Sequence, residues 1–166
     1  MTTYPIKGSW KGLLAIVPRP RGGDWLDDEV RAIRAEGYDV LVSLLTEAEM
    51  QELGLTEEAD LARGQGLEFC NYPIPDLGVP GSREAARQLV DKLYGNLMAG
   101  KKIAIHCRGS IGRSGLLASS ILVMSGLAPQ TAFRQVSAAR GFYSPETPEQ
   151  RDWVVAFSLE FAESAA

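Results

Sequence analysis

Along the chain, short, mainly apolar runs alternate with longer stretches in which apolar positions recur every three or four residues. Runs of the first kind lie at 12–17, 38–45, 67–74 and 103–107. Each is bounded by Gly, Pro or polar residues, which predicts strands. Between them, Trp25, Leu26, Val30 and Ile33 fall at helical spacing behind Asp27, Asp28 and Glu29, and Gly37 ends the pattern. Thr46-Glu47-Ala48-Glu49 has the form of a capping box and predicts a short helix to about Leu53, its acidic residues most simply a solvated face. A second short helix is expected over 56–63. A third runs from Ser82 to near Gly100 on Ala86, Leu89, Val90, Leu93 and Leu97.

The stretch 116–124 is apolar almost all round, as a helix buried on every side would be. Pro129 opens another helix to about Ala139. Thr147-Pro148-Glu149-Gln150 then starts a last helix with Trp153, Phe157 and Phe161 on one face, a stripe that reads as core. Strands alternating with helices, without a repeat or linker, predict an α/β fold: a single domain over 1–166 with a central, mainly parallel sheet flanked by helices.

The segment 101–114, Lys-Lys-Ile-Ala-Ile-His-Cys-Arg-Gly-Ser-Ile-Gly-Arg-Ser, joins a predicted buried strand to the helix expected from Gly115. The backbone between them must turn sharply, and Gly109 and Gly112 permit the dihedrals for that. The amides of Arg108, Gly109, Ser110, Ile111 and Gly112 would then face inward at a helix N-terminus, a site suited to a tetrahedral oxyanion. There the thiolate of Cys107 is favoured, making it a nucleophile at neutral pH. The planar fork of Arg113 suits two phosphate oxygens, and Ser114 can donate to the sulfur when the thiolate leaves. His106, the single histidine, has loop orientation as its expected task, because a thiolate activated by amides needs no histidine base. Taken one at a time, these residues have plain structural readings; the combination at this spacing does not.

Asp76 follows Pro75 in a Pro-bounded loop after the third strand. As a turn residue it needs no further role, but a carboxylic acid on such a loop can protonate a departing oxygen, and loop closure would exclude water. Gln150 reads as a helix cap, and Arg19 and Arg21 read as solvated loop charge. Cys70 reads as a small buried residue or as the partner of Cys107 in a reversible disulfide.

Composition narrows the choices. With 45% hydrophobic and 23% charged residues the chain is an ordinary globular one, and its formal charge of −4 argues against general nucleic-acid binding or adhesion to acidic lipid. Two cysteines without a cysteine–histidine cluster exclude a zinc site and point to a reducing compartment, and no apolar run approaches the ~20 residues of a membrane span. A cytoplasmic protein without metal or organic cofactor, and without membrane insertion, is expected.

His106-Cys107, five residues, then Arg113-Ser114 resembles the signature of the cysteine-dependent protein tyrosine phosphatases. Residues 73–80 look like that family's acid loop, and 140–150 like the stretch after its penultimate helix. Order and spacing are most similar to the kinase-associated, cyclin-dependent-kinase-inhibitor type of dual-specificity phosphatase, over roughly 13–157. The resemblance implies a phosphatase-type fold and hydrolysis of phosphoric monoesters on a protein or peptide through a phosphocysteine. Cys107, Arg113, Asp76 and Ser114 are the implied catalytic residues, and His106 supports them; the resemblance also allows Gln150 to position the hydrolytic water, and Arg19 and Arg21, near the rim of the site in related phosphatases, to recognise a second acidic group. Where the family usually has glycine, three residues after the cysteine, this chain has Ser110, which implies altered rate or substrate fit. Phosphoinositide and RNA-end substrates stay open because of Arg108. A phosphate-recognising module without turnover is a further reading, while sulfurtransferases and arsenate reductases fit the Asp-bearing loop and the Arg-Ser ending less well.

Overall fold

Three of the four runs fold as strands shorter than themselves, over 13–16, 40–43 and 68–71, and the fourth as a strand of equal length set one residue earlier, over 102–106. The structure, a computed structural model, describes residues 1–165, with side chains through residue 162. Its strands are β1 (Tyr4–Ile6), β2 (Leu13–Ile16), β3 (Val40–Ser43), β4 (Glu68–Asn71) and β5 (Lys102–His106), in the spatial order β1-β2-β5-β3-β4. β2, β5, β3 and β4 run parallel, and β1, which no periodicity predicted, pairs antiparallel on the edge.

Side chains alternate between two buried faces. Ile103 and Ile105 join Leu14, Ile16, Val40 and Val42 under one helical layer, whereas Ala104 joins Ala15, Val17 and Leu41 under the other. The second layer is built from α1 (Leu26–Ala35) and α3 (Glu58–Gly64), with α2 (Glu47–Glu52) between them in the chain. The first is built from α4 (Arg83–Met98), α5 (Gly112–Met124), α6 (Pro129–Arg140) and α7 (Pro148–Ala165). All thirteen residues of α5 are buried, as its all-round apolar pattern requires.

Two sequence expectations need correction here. Trp25 lies in a 3-10 turn ahead of α1 and is 57% exposed, with the Arg21 guanidinium 4.3 Å from its ring; the buried stripe of α1 is Leu26, Val30 and Ile33 alone. Glu49 caps α2 through Thr46 as predicted, but its side chain faces inward and is 8% exposed.

Candidate active site

β5 ends at His106, and α5 begins at Gly112, three residues earlier than the sequence suggested. The loop between them therefore closes over five residues, 107–111. The left-handed residue in it is Ser110, at φ 56°, not Gly109 or Gly112. Ser110 thus adopts a conformation that glycine takes freely; its hydroxyl donates to Val17 O at 2.7 Å, and its carbonyl accepts from Arg140 Nε at 2.8 Å. At Gly112 an added Cβ would meet the side-chain ends of Glu146 and Gln150, with Oε1 atoms at 2.5 and 2.9 Å, which would have to shift to admit it.

Cys107, 2% exposed, sits where β5 leaves the sheet. Arg113, in the first turn of α5, is fully buried and densely paired. Nη1 donates to Glu49 Oε1 at 2.7 Å and Ile74 O at 2.8 Å; Nη2 donates to Glu49 Oε2 at 2.9 Å and Asp76 Oδ1 at 3.0 Å. Burial works against the Arg113 cation, but the hydrogen bond to Glu49 and the negative charge of Cys107, Glu49 and Asp76 outweigh it and raise its proton affinity. Burial also pushes the Glu49 carboxyl up. The hydrogen bonds from Arg113 and the Thr46 N–H, with the guanidinium charge, overcome that and hold it at about 2. Sequence reasoning placed Glu49 in a solvated face and missed this clamp, since the capping box accounts for it with one carboxylate oxygen.

Asp76 reaches the site from the loop after β4, with its side chain 54% exposed. That loop is tied back by Gln150, whose Nε2 donates to Gly78 O at 3.1 Å. Gln150 also makes both bonds of a capping box with Thr147, so the cap reading is met and the residue braces the Asp76 loop as well. Arg108 lies at the mouth, paired with exposed Glu52 at 3.1 and 3.3 Å, and Arg21 is paired with Glu29 at 2.8 Å. The Ser114 hydroxyl is buried and bonds nothing among the described residues, the sulfur included.

On the other face of the sheet from Cys107, His106 Nε2 lies 2.5 Å from Glu58 Oε1, and His106 Nδ1 lies 3.4 Å from the Cys107 carbonyl oxygen. Glu58 carried no sequence signal. Cys70 stands opposite Val42, which stands opposite Ile105. Two strand spacings of about 4.8 Å already exceed the ~7 Å reach of a disulfide, so Cys70 and Cys107 are not bridged in this arrangement. Both are free, and burial pushes the Cys70 thiol up. Among the described residues no group of three or more His, Cys, Asp or Glu is placed to hold a metal ion, and no helix is long and apolar enough to cross a membrane.

The profile of the family described as "Tc-R-P: Polymorphic toxin system, DSP-PTPase phosphatase" matches residues 17–127, from the end of β2 to just past α5. The chain belongs to this DSP-PTPase family. The match spans the loop, Asp76, Glu49 and Glu58 together. Among curated relatives, cyclin-dependent kinase inhibitor 3 of Rattus norvegicus is 25% identical over 139 residues, covering 82% of this chain. The chain spans 65% of that relative's length. Among solved structures, a kinase associated phosphatase with its catalytic-site cysteine replaced by serine superposes with a TM-score of 0.84 at 21% identity, over 95% of this chain and 97% of the other. Tk-PTP in the active form gives 0.75 at 25% identity, over 94% and 97%. The DSP-PTPase fold thus extends beyond the matched segment to nearly the whole chain.

Proposed function

We propose that this DSP-PTPase hydrolyses phosphoric monoesters on tyrosine, serine or threonine of a protein or peptide, through a phosphocysteine, with residues 1–166 acting as one phosphatase domain. The observation that carries the reading is Arg113: a fully buried guanidinium, clamped by Glu49, standing between the Cys107 loop and Asp76. The Cys107 thiolate attacks phosphorus and the ester P–O bond breaks, while Asp76 gives its proton to the departing oxygen. Arg113 and the amides of Arg108, Gly109, Ser110, Ile111 and Gly112 hold the equatorial oxygens. Water then attacks phosphorus with Asp76 as base; the P–S bond breaks, and Ser114 donates to the leaving thiolate. The charge stabilisation comes from the protein, so the proposed reaction needs no metal. The free cysteines support action in a reducing compartment, the cytoplasm.

The test is hydrolysis of p-nitrophenyl phosphate in reducing, chelator-containing buffer by the native chain and by Cys107→Ser, followed by phosphotyrosine, phosphothreonine and inositol phosphate substrates. Turnover that vanishes in Cys107→Ser, with phosphopeptides preferred, is the expected result. A folded native chain without turnover would replace the enzyme by a phosphate-binding module, and preference for inositol phosphates would overturn the protein-phosphatase assignment.

A further inference from the structure

Glu58 and His106 form a pair with no exposed surface, buried between α3 and β5, and the chemistry proposed above makes no use of it. Such a pair is costly. The second carboxyl oxygen, Glu58 Oε2, is buried with no partner among the described residues, and a carboxylate there would lose its hydration without compensation. As a fastener between α3 and β5, a pair of apolar side chains would serve at least as well.

The protonation state of the pair follows from its neighbours. Three arrangements place a proton between Nε2 and Oε1: a carboxylic acid with neutral imidazole, a carboxylate with imidazolium, and a carboxylate with an imidazole protonated on Nε2 alone. The third carries a net buried negative charge beside the unpartnered Oε2, and it turns the bare Nδ1 lone pair toward the Cys107 carbonyl oxygen 3.4 Å away. Both remaining arrangements place a hydrogen on Nδ1, where it can donate to that carbonyl.

That donation bears on the oxyanion site through one peptide plane. In a trans peptide the C=O of Cys107 and the N–H of Arg108 point in opposite directions. His106 lies on the α1 and α3 side of the sheet with Ala104, whereas Cys107 lies on the α4 and α5 side with Ile103 and Ile105. A carbonyl held toward His106 aims the next N–H into the loop; a carbonyl turned the other way would face the thiolate and the phosphate. We propose that Glu58 is a positioning residue: it fixes His106 with its proton on Nδ1, which holds the Cys107 carbonyl and directs the Arg108 N–H at the oxyanion. The proposal deepens the phosphatase reading and rests on it for its catalytic consequence.

Because the chain has one histidine, the first test needs no variant. Nitrogen-15 NMR of the histidine-labelled protein at neutral pH is expected to show Nδ1 protonated; an imidazole protonated on Nε2 alone overturns the proposal. The second test compares Glu58→Leu with Glu58→Gln, whose carboxamide N–H can donate to Nε2 and keep the ring proton on Nδ1. Iodoacetamide alkylation of Cys107 at pH 7 and p-nitrophenyl phosphate kcat are each expected to fall about tenfold in Glu58→Leu, with KM within about twofold, and to recover largely in Glu58→Gln. Native values in a folded Glu58→Leu, or equal losses in both variants, overturn it. If Glu58→Leu does not fold, the NMR result and the Gln variant decide. Alkylation and NMR require no turnover, so a chain that hydrolyses nothing would sink the phosphatase reading and leave the positioning role to be judged by itself.

Discussion

Replacing Glu49 by glutamine separates the stability of the Arg113 clamp from its chemistry. The native carboxylate accepts two guanidinium N–H groups at 2.7 and 2.9 Å as well as the Thr46 N–H at 3.1 Å. A carboxamide has a single oxygen to offer, so its NH2 group meets a donor that needs an acceptor. The distance between an ordinary carboxyl at 4.5 and Glu49 at about 2 corresponds to roughly 3 kcal/mol of preference for the ionised form in the folded state. Because the folded value is the lower one, this contribution is whole above about pH 4.5 and drains away as pH falls toward 2. Urea unfolding of native and Glu49→Gln proteins should therefore differ by roughly 3 kcal/mol at pH 7, and by progressively less at pH 4 and pH 3. With its fork no longer held on both oxygens, Arg113 loses alignment with the phosphate, and kcat/KM should fall about a hundredfold. A gap below about 1 kcal/mol at pH 7, or one that persists unchanged to pH 3, would refute this account of the clamp.

Two further substitutions address the loop and the acid. Ser110→Gly removes the cost of a left-handed serine, about 1–2 kcal/mol, together with the buried hydroxyl bond to Val17 O, about 1 kcal/mol, so stability should move by no more than about 1 kcal/mol and kcat/KM by no more than about fivefold. A hundredfold loss would mean that the Ser110 hydroxyl takes part in the chemistry. Asp76→Asn should lower kcat by about 10²–10³ for aryl phosphates with poor leaving groups and far less for p-nitrophenyl phosphate, whose oxygen departs without a proton; the same loss on both would place the acid elsewhere.

Most of the architecture was readable because α/β layering writes itself into local patterns. Runs between two packed layers are apolar throughout, helices covering one face repeat at helical spacing, and α5 is apolar all round because it is buried all round. Local pattern failed where the deciding partner is distant in sequence. Glu58 meets His106 across 48 residues, and Glu49 meets Arg113 across 64. Trp25 continues the helical spacing, yet it lies in the 3-10 turn before α1 begins, where Arg21 covers its ring. β1 is three residues long with a central proline, too short to show alternation and suited to the sheet edge it occupies. The loop glycines suggest dihedral freedom, but the left-handed residue is Ser110, and Gly112 instead lies against the side-chain ends of Glu146 and Gln150.

Three carboxyl groups surround the loop, and their burial differs in a way that matches the roles proposed for them. Glu49 from α2 and Glu58 from α3 are buried and bonded, as groups that set geometry would be; Asp76 is 54% exposed and belongs to a loop, which suits the proposed proton transfer. Arg113 joins the two kinds. Its Nη1 hydrogens are taken by Glu49 and Ile74 O, and its Nη2 hydrogens by Glu49 and Asp76, while Nε has no bond among these contacts. A phosphate held bidentately through Nε and Nη2 must take the hydrogen that Asp76 now accepts. Substrate arrival would then release Asp76 from the guanidinium and let its carboxyl turn to the ester oxygen, while Glu49 keeps the fork from following.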